Sequence, residues 1–146
     1  MTWNIKTIIV GVDGSETAER AARQAVEVAR TTGGKLVFVT VVRPPEGWWG
    51  LGGAPPTPES LSEALIQGQK EIVDKLISSL DLAGVEYEAV EDLGDPATRL
   101  IAVAEERNAD LMVIGRRGAG LVERVILGSV ADRICHHSPC TVLLVP

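Results

Sequence analysis

Short apolar runs rich in β-branched residues alternate along this chain with longer segments whose apolar residues recur every three or four positions, and few folds accommodate that alternation. Ile5 to Val12 is almost continuously apolar, the pattern of a parallel strand covered on both faces. Ala18, Ala21, Ala22, Ala25, Val26 and Ala29 follow at helical spacing, with Glu19, Arg20, Arg23 and Glu27 on other faces and Gly33-Gly34 as the stop. Alanines this small predict close approach of that helix to a sheet. Leu36 to Val42 reads as the second strand, ended by Pro44-Pro45, and Glu46 to Pro58 as a long loop rich in Gly, Pro and Trp.

Thr57-Pro58, or Ser60 with Glu63 as a capping box, opens the next helix, and Leu61, Leu65, Ile72, Leu76 and Leu80 trace its apolar stripe as far as Gly84. Val85 to Glu91 alternates polar and apolar residues, as suits a strand at a sheet edge. Asp95-Pro96 caps and starts a helix carrying Ala97, Leu100, Ile101 and Ala104 on one face. Leu111 to Gly115, a helix from about Ser129 to His137, and Thr141 to Val145 complete the series. Five strands joined through four helices predict parallel pairing with right-handed crossovers: a three-layer, doubly wound α/β sheet.

At 146 residues and 45% hydrophobic content the chain suits one domain, residues 1–146, with no segment apolar enough to span a bilayer. It opens directly on a strand pattern without a secretory h-region, which makes the cytoplasm the expected compartment. Fourteen Lys and Arg against 20 Asp and Glu leave a formal charge of -6, which argues against nucleic acid or an anionic membrane as partner. A single small anion remains open, because helix termini and local arginines act at short range.

Such an anion has a candidate seat. Gly115-Arg116-Arg117-Gly118, then nine intervening residues, then Gly128-Ser129 forms a GxxG-x9-GS pattern between a strand-like and a helix-like stretch. Glycines let the backbone approach an anion, and the N–H groups of the following helix point at it. In a doubly wound sheet, ligands bind beyond the carboxyl ends of the strands, where strand order reverses. The segments expected to meet there are Gly11 to Ser15, Thr40 to Arg43 and Ile114 to Gly118. Asp13 can accept a ribose hydroxyl or hold a divalent cation through water, or serve as a helix cap or turn residue. Ser129 can bond a phosphate, cap the last helix, or both. Of Arg116 and Arg117, at least one is expected to be solvated.

Other chemistries fit less well. Cys135, His136, His137 and Cys140 lack the spacing of a zinc site, and are read as a buried helix residue, two residues near a helix C-terminus and a residue entering the last strand. There is no GxxxxGK[ST], no GxGxxG after the first strand and no GxSxG elbow. No nucleophile, base and orienting acid come together in the sequence pattern.

Ile8-Ile9-Val10-Gly11-Val12-Asp13-Gly14-Ser15, Gly94-Asp95-Pro96, Ala109 to Gly115, and Gly128-Ser129-Val130-Ala131 through Pro139 to Val145 together resemble the universal stress protein family across nearly the whole chain. The GxxG-x9-GS pattern marks that family's ATP-binding branch. The resemblance implies the adenine-nucleotide alpha-hydrolase-like fold with strand order 3-2-1-4-5. It implies ATP, or AMP or ADP, as ligand, with magnesium or manganese accompanying the triphosphate. It places Asp13 by the ribose or phosphates and Val41 near the adenine, with Val12 and Ile114 beside them. It gives the ribose and phosphates to backbone groups of Gly115, Arg116, Gly118, Gly128, Ser129 and Val130. It also implies a homodimer through Thr141 to Val145, whose apolar edge would be an aggregation hazard if bare. Trp48 and Trp49 depart from the family, and either cover a ligand or partner or have no specific role.

Two functions are therefore in view: a nucleotide-sensing regulatory module acting on a partner protein, and a slow ATPase or self-phosphorylating enzyme using Ser129 or a metal-bound water. The missing base beside the cradle favours the first.

Overall fold

In the computed structural model the described residues are 3–43, 58–117 and 127–146, without the side chains of 58–62. Trp48, Trp49, Gly118, Pro44-Pro45, Thr57, and the side chains of Ser60 and Leu61 lie outside them. The elements run β1 (Thr7–Gly11), α1 (Glu16–Thr32), β2 (Lys35–Val42), α2 (Pro58–Ser79), β3 (Tyr87–Leu93), α3 (Pro96–Glu106), β4 (Leu111–Gly115), α4 (Ser129–His137) and β5 (Thr141–Val145). The five strands form one parallel sheet in the order β3-β2-β1-β4-β5.

The continuous apolar runs produce the central strands, as two-sided burial requires. Ile8, Val10, Leu36, Phe38 and Val113 pack with the alanine face of α1 and with Val73 and Leu76 of α2. Ile9, Val37, Val39, Met112 and Ile114 pack on the opposite face with Leu100 and Val103 of α3 and Ala131 and Ile134 of α4. Helices thus cover both faces. β1 is shorter than the Ile5–Val12 run because Asp110 accepts the backbone N–H groups of Lys6 and Thr7 at its start. At its far end Val12 N–H still reaches Val39 O at 2.9 Å before Gly14, at φ 83°, turns the chain into α1. Strand β3 is an edge, as its alternation implies, but begins at Tyr87 and runs to Leu93.

The expected helix ends at Gly33 and Asp95 form. Ser15 caps α1 by accepting from Ala18 N–H, and Gly33 ends it in the left-handed conformation at φ 76°. Asp95 caps α3 by accepting from Thr98 N–H, with Pro96 in the first turn. Two expectations change. Cys135 is exposed rather than buried, because Ala131 and Ile134 occupy the inward face of α4 and the next residue turns about 100° away. Among the described side chains of α2 the fully buried ones are Gln69 and Val73, with Leu76 nearly so. The Gln69 amide donates to Thr40 O at 3.1 Å and Asp92 O at 2.7 Å, fastening α2 to β2 and β3.

Candidate functional site

The carboxyl ends of β1, β2 and β4 open into a cavity of about 120 Å³. Val12, Asp13, Val41, Ile114, Gly115 and Val130, all candidates from the sequence, line it together. The strand order places them there: β1 lies between β2 and β4, and the crossover from β1 through α1 and the crossover through α3 into β4 lie on opposite faces. Arg116, Gly128 and Ser129 do not line the cavity; the first two tie the ends of the loop behind it. Arg116 N–H bonds Val145 O at 2.8 Å, and Gly128 N–H bonds Arg116 O at 2.8 Å. Arg117, whose side chain the sequence could not tell apart from that of Arg116, is the arginine that lines the cavity. Ala18, Val39, Pro96, Leu100 and Ala131 add walls that went unrecognised, although all lie on or beside apolar stripes read as core.

Asp13 realises its turn reading while lining the cavity. Its Oδ1 accepts Ser15 N–H at 2.9 Å and the Ser15 hydroxyl at 2.5 Å. The N-cap of α1 is therefore Ser15. Ser129 does not cap α4 either: Gly128 holds the N-cap position, and Ser129 is the first helical residue, exposed at the surface. A glycine cap has no side chain to satisfy the first N–H groups of α4, so those donors point outward without a side-chain acceptor. The amino end of α1 carries two acidic residues in its first turn, Glu16 and Glu19, and a capping Ser15, against the single Asp132 and no side-chain cap at α4. Of these two helix ends, α4 is the one suited to an anion.

At the rim, Asp95 gathers three elements. It accepts from Thr98 N–H at 3.0 Å, pairs with Arg43 after β2 at 2.5 Å and with Arg133 of α4 at 2.5 Å. The Thr98 backbone bond, then the Thr98 hydroxyl and Arg133, draw its pKa down to about 2. A second hollow, about 240 Å³, lies between α1 and α2 against Ile72, Lys75, Leu76 and Ser79. It is larger but has the acidic first turn of α1 on one side and no glycine loop, so the strand-end cavity is the better seat for an anionic ligand.

The profile of the universal stress protein family matches residues 4–146. The chain belongs to that family. A Staphylococcus aureus strain USA300 protein named for the same family is 37% identical over 145 residues, covering 96% of this chain and 83% of its own. The universal stress protein UspA from Lactobacillus plantarum superposes with a TM-score of 0.81 at 23% identity, covering 99% of this chain and all of its own, which shows the shared fold. Two further structures carry ligands. A universal stress protein in complex with cAMP matches at TM-score 0.64 and 27% identity, covering 97% of each chain. One from Archaeoglobus fulgidus in complex with dAMP matches at 0.67 and 25%, covering 99% of this chain and 100% of its own.

Among the described residues of this family member no three His, Cys, Asp or Glu side chains form a metal cluster. His136 faces Asp132 at 3.5 Å on the exposed side of α4, away from the cavity lining. Burial pushes the Cys140 thiol up, which makes it a weaker metal ligand. The donor set at the cavity, one carboxylate with backbone N–H groups, fits a divalent ion held by a ligand's phosphates and contacted by Asp13 through water. Among the described residues no helix is long and apolar enough to cross a membrane.

Proposed function

We propose that this universal stress protein binds ATP, or AMP or ADP, at the strand-end cavity, and acts in the cytoplasm as a nucleotide-sensing module that passes its occupancy to a partner protein during stress. One observation carries the reading: Asp13, Val41, Gly115 and Val130, from four separate segments, line a single cavity beside the uncapped amino end of α4. At about 120 Å³ the cavity is smaller than a whole-ligand pocket and seats one moiety. The adenine enters against Val39, Val41 and Leu100, with Val12 and Ile114 as the floor. Asp13 accepts ribose hydroxyls. The phosphates lie along the loop, on N–H groups of Gly115, Gly118, Ser129 and Val130, with the Arg117 guanidinium adding charge and Mg²⁺ or Mn²⁺ arriving with the triphosphate; the N–H groups of Arg116 and Gly128, expected there from the sequence, are instead given to Val145 O and Arg116 O. The adenine nucleotides in two relatives' structures support this ligand class.

Binding rather than turnover is favoured because Asp13 is the only carboxylate on the described cavity wall, its Oδ1 already holds two donors from Ser15, and no histidine lines the cavity. The proposed dimer uses β5. That edge presents Val142, Leu143 and Leu144, whereas the opposite edge, β3, carries Glu88, Glu91 and Asp92, charges of the kind that discourage pairing. Calorimetry with ATP, ADP, AMP and cAMP, with and without magnesium, tests the reading. Saturable binding without phosphate release above background is the expected outcome. No heat at millimolar ATP refutes it, and sustained phosphate release transfers the site to the ATPase reading.

A further inference from the structure

Thr17, in the first turn of α1, is 5% exposed, yet its hydroxyl bonds outside its own helix: it donates to the carbonyl oxygen of Arg117, beyond β4. Two residues earlier the Ser15 hydroxyl donates to Asp13 Oδ1 at 2.5 Å, and the two hydroxyl oxygens lie 3.3 Å apart. Each hydroxyl has one proton. Ser15 commits its proton to Asp13 and Thr17 commits its own to Arg117, so one turn of helix holds a cavity carboxylate and a loop carbonyl at a set separation.

Among the described residues the other ties on that loop sit elsewhere. Arg116 N–H to Val145 O anchors its start, and Gly128 N–H to Arg116 O closes its end. Thr17 acts at Arg117, whose side chain lines the cavity and which precedes Gly118. The same residue presses on the strand end: a Cβ built on Gly115 would lie 2.7 Å from Thr17 Oγ1. Helix α1 and the loop are therefore in direct van der Waals and hydrogen-bond contact at one residue.

We propose that Thr17 is a positioning residue of the nucleotide site: without touching the ligand, it sets the glycine-loop backbone in place relative to Asp13. The inference rests on the nucleotide reading above and adds a residue to it. Thr17 acts on the phosphate side. The walls given to the base, Val39, Val41 and Leu100, are held by the sheet and α3 and do not depend on it.

The test compares Thr17→Val, which keeps the shape and removes the donor, with Thr17→Ser, which restores it. Affinities for ATP and for adenosine are measured by calorimetry, and amide hydrogen exchange at Gly128 is followed in the nucleotide-free protein. Thr17→Val is expected to weaken ATP about tenfold and adenosine by less than about twofold, the size of one lost hydrogen bond confined to the loop. Thr17→Ser is expected to recover ATP affinity, and Gly128 exchange to quicken in the Val variant alone. Unchanged ATP affinity, or equal weakening of ATP and adenosine, overturns the proposal. If the wild type binds neither, the nucleotide reading fails by itself. Gly128 exchange then decides the anchoring: faster in Thr17→Val upholds it, unchanged overturns it. Should the Val variant fail to fold, Thr17→Ala takes its place in every arm.

Discussion

Gly115→Ala should destabilise the protein with no ligand present. The added Cβ would lie 2.7 Å from Thr17 Oγ1 and 2.9 Å from both Thr17 C and Thr17 Cβ. Only the first of these atoms can rotate aside. The other two belong to the backbone and branch point of a helix whose Ala21, Ala22 and Ala25 are already packed on the sheet. Relief therefore requires α1 to move as a unit, and overpacking of that kind costs about 2–3 kcal/mol. For 146 residues the unfolding entropy is about 0.3 kcal/mol per kelvin, so the melting temperature should fall by about 7–10 °C. Thermal denaturation followed by circular dichroism in nucleotide-free buffer measures it. Gly68→Ala is the matched control: Gly68 is an exposed helical residue with nothing within 4 Å of the added methyl, and the change should raise the melting temperature by about 2–3 °C. A Gly115→Ala protein that melts with the wild type would refute the reasoning, and would assign this glycine to ligand approach alone.

The remaining predictions concern the rim and the edge. Asp95 is held at about 2, first by the Thr98 backbone bond, so its contribution is complete above its unfolded value of 3.8 and is lost as pH falls through 2. With the carboxylate about one-third exposed, Asp95→Ala should cost about 1–2 kcal/mol at pH 7. Urea titrations at pH 7 and pH 2 should show that difference shrinking, and a constant difference would disprove the linkage. Leu143 is 37% exposed on β5, and Leu143→Lys should convert the proposed dimer to monomer in sedimentation equilibrium. A dimer that persists unchanged would move the interface elsewhere.

Much of the architecture was legible because burial leaves a period. The β-branched runs around Ile9, Val37 and Val113 admit no exposed face, and Asp95-Pro96 and Gly33 announce helix ends by local chemistry alone. The cavity followed from strand order, which brings Asp13, Val41 and Gly115 to the same end of the sheet. What stayed hidden is what depends on the direction of individual bonds. Whether Arg116 or Arg117 turns inward is decided by the loop path. Whether Ser129 or Gly128 caps α4 is decided by a single backbone angle, ψ 158° at Gly128. Thr17 and Gln69 were missed for another reason: both are polar, though both stand at inward positions, four residues before Ala21 and four after Leu65. Their spacing was the available signal, and polarity obscured it.

Gln69 also sets how this molecule can move. Apolar packing resists pulling two surfaces apart but barely resists sliding, since one methyl group replaces another along the path. The amide of Gln69 instead spends both protons on carbonyls of two adjacent strands, with Thr40 and Gln69 almost wholly shielded from water. A small shift of α2 along the sheet would leave the buried amide donors of Gln69 without their acceptors. On this flank, rearrangement by shear is penalised at the first ångström, so motion of α2 must bend about its ends instead.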